Sequence, residues 1–107
     1  MASSSSSSSP VAATARVVLI TGCSSGIGRA LARELAARGA AQFVVVPTAR
    51  SASAVAELRA EGFEFARQLD VNCTDDAAAV SPQTVVDAVC AQLGRIDVLI
   101  NNAGVTG

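Results

Sequence analysis

The sequence predicts a small α/β domain in which helices cover a parallel sheet. Short apolar runs alternate with amphipathic segments along the chain, and glycines follow most of those segments. Strands separated by helical crossovers favour a parallel sheet with right-handed connections, so the order βαβαβαβ indicates this class. The chain has 107 residues, half of them hydrophobic, which predicts one domain with a thin core.

The predicted strands are short runs rich in β-branched and apolar residues. The first, RVVLI, is bounded by a glycine-rich turn and is typical of a buried strand. Pro47 is expected to end the second, because proline cannot donate a ladder hydrogen bond. The four strands are predicted at residues 16–20, 43–46, 63–69 and 96–100.

The predicted helices have apolar residues at helical spacing and are followed by Gly39, Gly62 and Gly94. Ser81 and Pro82 supply an N-cap and a first-turn proline for the third helix. The helices are predicted at residues 27–38, 52–60 and 83–93, with an irregular segment at 72–82. The side chains expected to face inward are Ile27, Leu31, Leu35, Val55, Leu58, Val85, Val86 and Val89.

Residues 1–15 are rich in serine and contain no acidic residue, which predicts a disordered tail before a domain at 16–107. Such a start is similar to an organelle transit peptide, but Arg16 is the first basic residue and already belongs to the first strand. A plain tail and a cytoplasmic location are therefore expected, and an organelle is the alternative.

The composition argues against several function classes. A net charge of −1 gives no electrostatic reason to bind nucleic acid. No apolar run approaches the roughly 18 residues of a membrane span. The cysteines are odd in number, widely spaced and not in a CxxC pair, which predicts buried or half-buried free thiols and neither a disulfide nor a metal site.

The stretch TGCSSGIG at residues 21–28 joins the first strand directly to the first helix. The free N–H groups and the dipole at a helix N-terminus favour an anion there. Glycines allow a tight turn and the close approach of a diphosphate, and serine hydroxyls add donors. The turn therefore predicts nucleotide binding; the alternative is a glycine-rich connection that binds nothing. The residues concerned are Gly22, Ser24, Ser25, Gly26 and Gly28.

Three motifs in this order resemble the short-chain dehydrogenase/reductase family: TGCSSGIG after the first strand, Asp70-Val71 after the third, and NNAG (residues 101–104) after the fourth. The resemblance covers about residues 17–105. It implies a partial Rossmann fold, with a four-stranded parallel sheet in the order 3-2-1-4 and three helices, and a dinucleotide cofactor.

The end of the second strand indicates which dinucleotide is bound. An acidic residue here would bind the ribose 2′-hydroxyl, but none occurs between Pro47 and Glu57. Arg50 can instead pair with a 2′-phosphate. In the family an arginine at this position implies NADP(H), and the alternative is a solvated surface arginine.

The resemblance also assigns the remaining cofactor contacts. Asp70 and Val71 match the pair that binds adenine, although Asp70 could simply cap the following turn. Asn102 is the expected side chain nearest the cofactor. The full predicted set is Gly22, Ser24, Ser25, Gly26, Ile27, Gly28, Arg50, Asp70, Val71, Asn102, Ala103 and Gly104.

The family's catalytic residues have no match in this sequence. They are a tyrosine, a lysine four residues later and a serine upstream, all located beyond the fourth strand, and this chain contains neither tyrosine nor lysine. We therefore expect an NADP-binding N-terminal half of an oxidoreductase that acts on carbonyl or hydroxyl substrates and is not catalytic alone. The stretch VLITGCSSGIG with TARS is similar to reductases of acyl-dihydroxyacetone phosphate.

Such a half-domain is expected to leave its fourth strand, IDVLI, as an apolar sheet edge that can pair with another chain. Marginal stability is expected for the same reason. Two alternatives are a non-catalytic nucleotide-binding or regulatory module that pairs with a full-length relative, and a non-functional remnant.

Overall fold

A computed structural model describes residues 15–24 and 26–102. In this part of the chain four strands form one parallel sheet in the order β3-β2-β1-β4, with three helices between them. The predicted strand order and partial Rossmann fold are confirmed. The elements are β1 (Arg16–Ile20), α1 (Gly26–Ala37), β2 (Phe43–Ala49), α2 (Ala52–Glu61), β3 (Arg67–Gln68), α3 (Pro82–Leu93) and β4 (Val98–Ile100).

Strand β1 is central and contributes to the core on both faces of the sheet. Val18 and Ile20 pack in the cluster that contains buried residues of α1 and α2, while Val17 and Leu19 pack in the cluster of α3. A strand buried on both faces is expected to be apolar at every position. The unbroken run VVLI is therefore explained by its place in the sheet.

Strand β2 runs through Pro47 and ends at Ala49, so the prediction that Pro47 ends it is wrong. The carbonyl of Thr48 accepts from the N–H of Cys23 on the β1 side, whereas the carbonyl of Ala49 accepts from Leu69 on the β3 side. Because backbone groups alternate along a strand, the nitrogen of Pro47 faces the β3 side. Strand β3 begins only at Arg67, opposite Thr48, so no strand carbonyl needs the missing donor.

Strand β3 contains only Arg67–Gln68, which is much shorter than the predicted 63–69. The backbone of residues 63–66 forms turns instead of a strand. The N–H of Phe63 bonds to the carbonyl of Leu58 at the end of α2, and the N–H of Ala66 bonds to the carbonyl of Phe63. Phe63 and Ala66 are nevertheless buried, which explains the apolar pattern that predicted a strand.

Strand β4 begins at Val98, two residues later than predicted. Asp97 makes a local contact there, because its carboxylate accepts from the N–H of Val17 at 2.8 Å while its own N–H donates to the carbonyl of Val17 at 2.9 Å. This contact and an ion pair with Arg95 hold the pKa of Asp97 below its usual value, with the backbone hydrogen bond as the largest cause.

The helix ends agree with the predicted caps. The Ser81 hydroxyl accepts from the N–H of Thr84 at 3.1 Å, and Pro82 is the first residue of α3. Gly62 and Gly94 end α2 and α3 in the left-handed region, with φ of 118° and 92°. The predicted inward positions Val55, Leu58, Val85 and Val89 are buried.

Two predicted inward residues are exposed instead. Ile27 is 72% exposed and Val86 is 36% exposed. In α1 the buried residues are Gly28 and Ala32, flanked by the partly buried Leu31, because the helix comes closest to the turn after β1 at Gly28. Ile27 lies about 100° around the helix from Gly28 and therefore leaves the core.

The predicted tail lies outside the described residues except for Ala15. Ala15 is buried in the cluster of α3, and its carbonyl accepts a hydrogen bond from the Arg95 guanidinium, so this residue packs with the domain. The three cysteines are free: Cys23 is buried and Cys73 and Cys90 are half-buried. Among the residues described, no helix is long and apolar enough to cross a membrane.

Candidate functional site

The carboxyl ends of β1, β2 and β4 meet at one edge of the sheet. At this edge the N–H of Thr21 donates to the carbonyl of Ile100 at 3.0 Å, and the Thr21 hydroxyl donates to the Asn101 amide oxygen at 3.1 Å. These bonds join the end of β1 to the end of β4. In open α/β sheets this edge is where ligands bind.

The glycine-rich turn after β1 is anchored to β2 on its other side. The N–H of Cys23 donates to the carbonyl of Thr48 at 2.8 Å, and the buried Thr48 hydroxyl donates to the carbonyl of Ile20 at 2.9 Å. Gly22 and Gly26 have φ of 71° and 67°, which strongly favours glycine. The sequence prediction missed Thr48; a polar residue next to Pro47 at the end of an apolar strand was the available signal.

Helix α1 starts at Gly26, directly after the turn, so its first N–H groups point toward the turn. Its first turn contains no acidic residue that would neutralise the positive end of the helix dipole. The arrangement therefore favours an anion at the turn.

Gly28 is the point of closest approach at this site. The Asn102 amide nitrogen donates to the carbonyl of Gly22 at 3.1 Å. A Cβ atom on Gly28 would lie 2.5 Å from that carbonyl oxygen and 2.6 Å from that amide nitrogen. No side chain fits there without moving the backbone, so Gly28 and Asn102 together set how closely α1 packs on the turn.

The other predicted residues of the turn line its open side. Ser24 is exposed and Ile27 is largely exposed. A Cβ atom on Gly26 would meet open space. Ser25 lies outside the described residues, as do Ala103 and Gly104 of the motif after β4.

Arg50 follows β2 at the same edge and is exposed. Its carbonyl accepts from the Gln68 side chain at 2.9 Å. Its guanidinium makes no hydrogen bond or ion pair with any other residue in the described ranges. Ser51, the next residue, caps α2 by accepting from the N–H of Ala54 at 3.2 Å, so the backbone around Arg50 is fixed while its side chain is open to a ligand.

Asp70 and Val71 follow β3. One Asp70 carboxylate oxygen accepts from the N–H of Asn72 at 3.0 Å, and the N–H of Asp70 donates to the carbonyl of Val80. The capping role that the sequence left open for Asp70 is therefore present. Val71 is 39% exposed and presents apolar surface beside it.

At this edge a glycine-rich turn precedes a helix N-terminus, and an exposed arginine follows the neighbouring strand, as in an α/β fold of the Rossmann type. The family model for short chain dehydrogenases matches residues 16–107. The chain belongs to the short-chain dehydrogenase/reductase family, whose members bind a dinucleotide cofactor.

Curated relatives support the assignment. The chain is 40% identical to the 3-oxoacyl-[acyl-carrier-protein] reductase FabG of Escherichia coli over 92 residues, which cover 85% of this chain and 35% of that protein. It is 42% identical to the D-threitol dehydrogenase of Mycolicibacterium smegmatis over 90 residues, which cover 84% of this chain and 34% of that protein. The chain thus spans about a third of the length of these relatives.

We predict that Gly28→Ala destabilises the fold by about 2–4 kcal/mol. This combines overpacking against backbone, worth about 1–3 kcal/mol, with the loss of the Asn102 hydrogen bond, worth about 1 kcal/mol. Gly26→Ala is the matched control, since it meets open space and adds only left-handed strain of about 1–2 kcal/mol. Urea unfolding followed by circular dichroism measures both, and equal costs would contradict the close-approach role.

A second prediction concerns Cys23, whose burial raises the pKa of its thiol from 9.0 to about 11. The unfolded chain loses this proton first as the pH rises, so the free energy of unfolding should fall by about 2 kcal/mol between pH 9 and pH 11. The chain has neither lysine nor tyrosine to titrate in this range. Urea unfolding across the range should show a shallower dependence in Cys23→Ala; an unchanged dependence would show that Cys23 does not cause it.

Proposed function

We propose that residues 16–107 form the NADP(H)-binding part of an oxidoreductase that acts on carbonyl or hydroxyl groups. The observation that carries the proposal is the exposed Arg50 guanidinium, without a partner among the described residues, on the same sheet edge as the glycine-rich turn. The bound dinucleotide supplies the hydride that such an enzyme transfers. The residues of this chain bind and orient it.

The turn fits the diphosphate of the cofactor. Gly22 and Gly26 adopt positive φ, and the space beside Gly26 is open, so a phosphate can approach the backbone closely. The helix N-terminus adds N–H donors and a partial positive charge. Ser24 is exposed and can add a hydroxyl donor.

Arg50 supports NADP(H) over NAD(H). A guanidinium binds a 2′-phosphate through charge-assisted hydrogen bonds, and it interacts more weakly with an unphosphorylated ribose. The nearest carboxylate that follows along the chain, Glu57, is paired with Arg29 at 3.4 Å. No acid between β2 and α2 is available to bind a 2′-hydroxyl.

The remaining contacts complete the proposed site. The apolar surface of Val71 suits one face of an adenine ring, beside the carboxylate of Asp70. Asn102 is buried against the turn, and its amide donates to the carbonyl of Gly22. We propose that it also lies close to the cofactor ribose. Ala103 and Gly104, which follow Asn102 in the NNAG motif, stay predicted cofactor contacts.

The reaction requires residues that this sequence lacks. Reduction of a carbonyl needs an acid that protonates the developing alkoxide, typically worth about 10²–10⁴ in rate. No tyrosine or lysine occurs here, so we propose that these 107 residues alone transfer no hydride. The reductase and dehydrogenase names of the relatives support a carbonyl or hydroxyl substrate; acyl-dihydroxyacetone phosphate and the cytoplasmic location stay predictions.

We predict that Arg50→Ala weakens NADPH binding about 10- to 100-fold, which corresponds to one charge-assisted hydrogen bond of about 1.5–3 kcal/mol. NADH binding should change less than about twofold, because NADH lacks the phosphate that Arg50 contacts. Titration of nucleotide fluorescence measures both affinities, since the chain has no tryptophan.

Arg16→Ala is the matched control for this prediction, because Arg16 is exposed at the opposite end of β1. Its affinity for both nucleotides should equal that of the parent chain. Equal losses for NADPH and NADH in Arg50→Ala would contradict the assignment of Arg50. A parent chain that binds no NADPH at about 1 mM would contradict the proposed function itself.

The outer side of β4, which is the last strand of the sheet, favours a second candidate function. This function is pairing with another chain of the same fold. Leu99 is 60% exposed, and no other strand in the described part of the chain lies beyond β4. Even-numbered residues of β4 bond to β1, since the carbonyl of Ile100 accepts from Thr21. The N–H and carbonyl of Leu99 therefore face the open edge, where a second chain could pair.

We predict that Leu99→Lys reduces self-association, because a charge on an edge strand opposes pairing with another strand. Sedimentation velocity over a concentration series measures it. Val86→Lys is the control, since it adds the same charge to an exposed position on α3. A parent chain that stays monomeric throughout the series would contradict self-pairing.

A further inference from the structure

Arg29 lies in the first turn of α1 and joins that turn to α2. Its Nη1 donates to the carbonyl of Ser24 at 3.1 Å and to Glu57 Oε1 at 3.4 Å. Its Nε and Nη2 donate to Glu61 Oε1 at 3.3 Å and 3.2 Å. One guanidinium thus contacts the glycine-rich turn and two carboxylates of the neighbouring helix.

The position is electrostatically unusual for an arginine. A cation in the first turn of a helix is disfavoured by the helix dipole. Here Glu57 and Glu61 offset that cost, and the Arg29 side chain is only 20% exposed. Glu61 also pairs with Arg33, and these contacts, led by Arg33, keep the pKa of Glu61 below its usual value.

Helix α2 also fixes the position of Arg50. Ser51 is the N-cap of α2, and Arg50 is the residue before it. A shift of α2 relative to the turn would therefore move Arg50 relative to Gly22 and Gly26. Bidentate contacts with a phosphate depend on such spacing, because misplacement by about 1 Å weakens them strongly.

We infer that Arg29, together with Glu61, is a positioning residue that sets the spacing between the diphosphate turn and the 2′-phosphate arginine. The inference rests on the proposed NADP(H) function. It assigns to Arg29 no contact with the cofactor. Its consequence is a role in cofactor preference: the ion pairs between α1 and α2 support discrimination between NADP(H) and NAD(H).

Arg29→Ala and Glu61→Gln test the inference in the full chain. Dissociation constants for NADPH and NADH are measured by nucleotide fluorescence for each variant. In both variants the ratio of NADPH affinity to NADH affinity should fall about tenfold. The NADH affinity should stay within about twofold of the parent value, because only the spacing to Arg50 is disturbed. Glu34→Gln is the control: it breaks the exposed Glu34–Arg38 pair, 3.4 Å apart at the C-terminal end of α1, and should change neither affinity.

A purely structural role predicts a different pattern. Loss of stability alone would lower both affinities equally, and a direct contact of Arg29 with the diphosphate would do the same in Arg29→Ala. Either result would overturn the inference, as would an unchanged preference in both variants. Thermal unfolding followed by circular dichroism verifies that each variant is folded, and Glu57→Gln supplies a milder change if Arg29→Ala does not fold.

The parent chain distinguishes this inference from the proposed function. A parent that binds no NADPH at about 1 mM overturns the proposed function and the inference with it. A parent that prefers NADPH, with Arg50→Ala losing that preference and the Arg29 and Glu61 variants retaining it, overturns only the inference.

Discussion

The close approach at Gly28 is the constraint on which the candidate site depends. The carbonyl of Gly22 and the amide of Asn102 occupy the space that a side chain at position 28 would need. That contact brings together β1, the start of α1 and the end of β4. The helix N-terminus therefore lies against the sheet edge, where a diphosphate can reach its N–H groups. A larger residue at position 28 would separate the helix from the turn and move the anion site.

The site relies on local charge. The chain as a whole has a net charge of −1, so the proposed phosphate site depends on the helix dipole and on Arg50 for its positive charge. Most other arginines near the turn are already paired: Arg29 and Arg33 both contact Glu61. Arg50 differs from them, because its guanidinium has no such partner among the described residues. Arginines paired with Glu61 between α1 and α2, together with an exposed Arg50 that has no partner in the described part of the chain, are consistent with the proposed recognition of one added phosphate.

The order of elements and the helix caps could be predicted from the sequence, because apolar periodicity and glycine positions report burial and chain reversal directly. The strand order was implied only by the resemblance of the three motifs to the family. The length of β3 could not, since Phe63 and Ala66 are buried in turns and burial alone gives the same apolar pattern as a strand. The continuation of β2 through Pro47 could not be predicted for a related reason. The effect of a proline depends on which neighbouring strand its nitrogen faces, and tertiary pairing sets this. The anchoring by Thr48 and the contacts of Arg29 join residues far apart in sequence, so no local pattern revealed them.

The most direct test of the central claim is a nuclear magnetic resonance titration of the labelled chain with NADP⁺. The account predicts that amide shift changes concentrate at the carboxyl edge of the sheet, at Gly22, Gly26, Gly28 and Arg50. Amides at the opposite edge, such as Gly39 and Phe43, should stay unchanged. Shift changes centred on that opposite edge, or none at saturating nucleotide, would contradict the account.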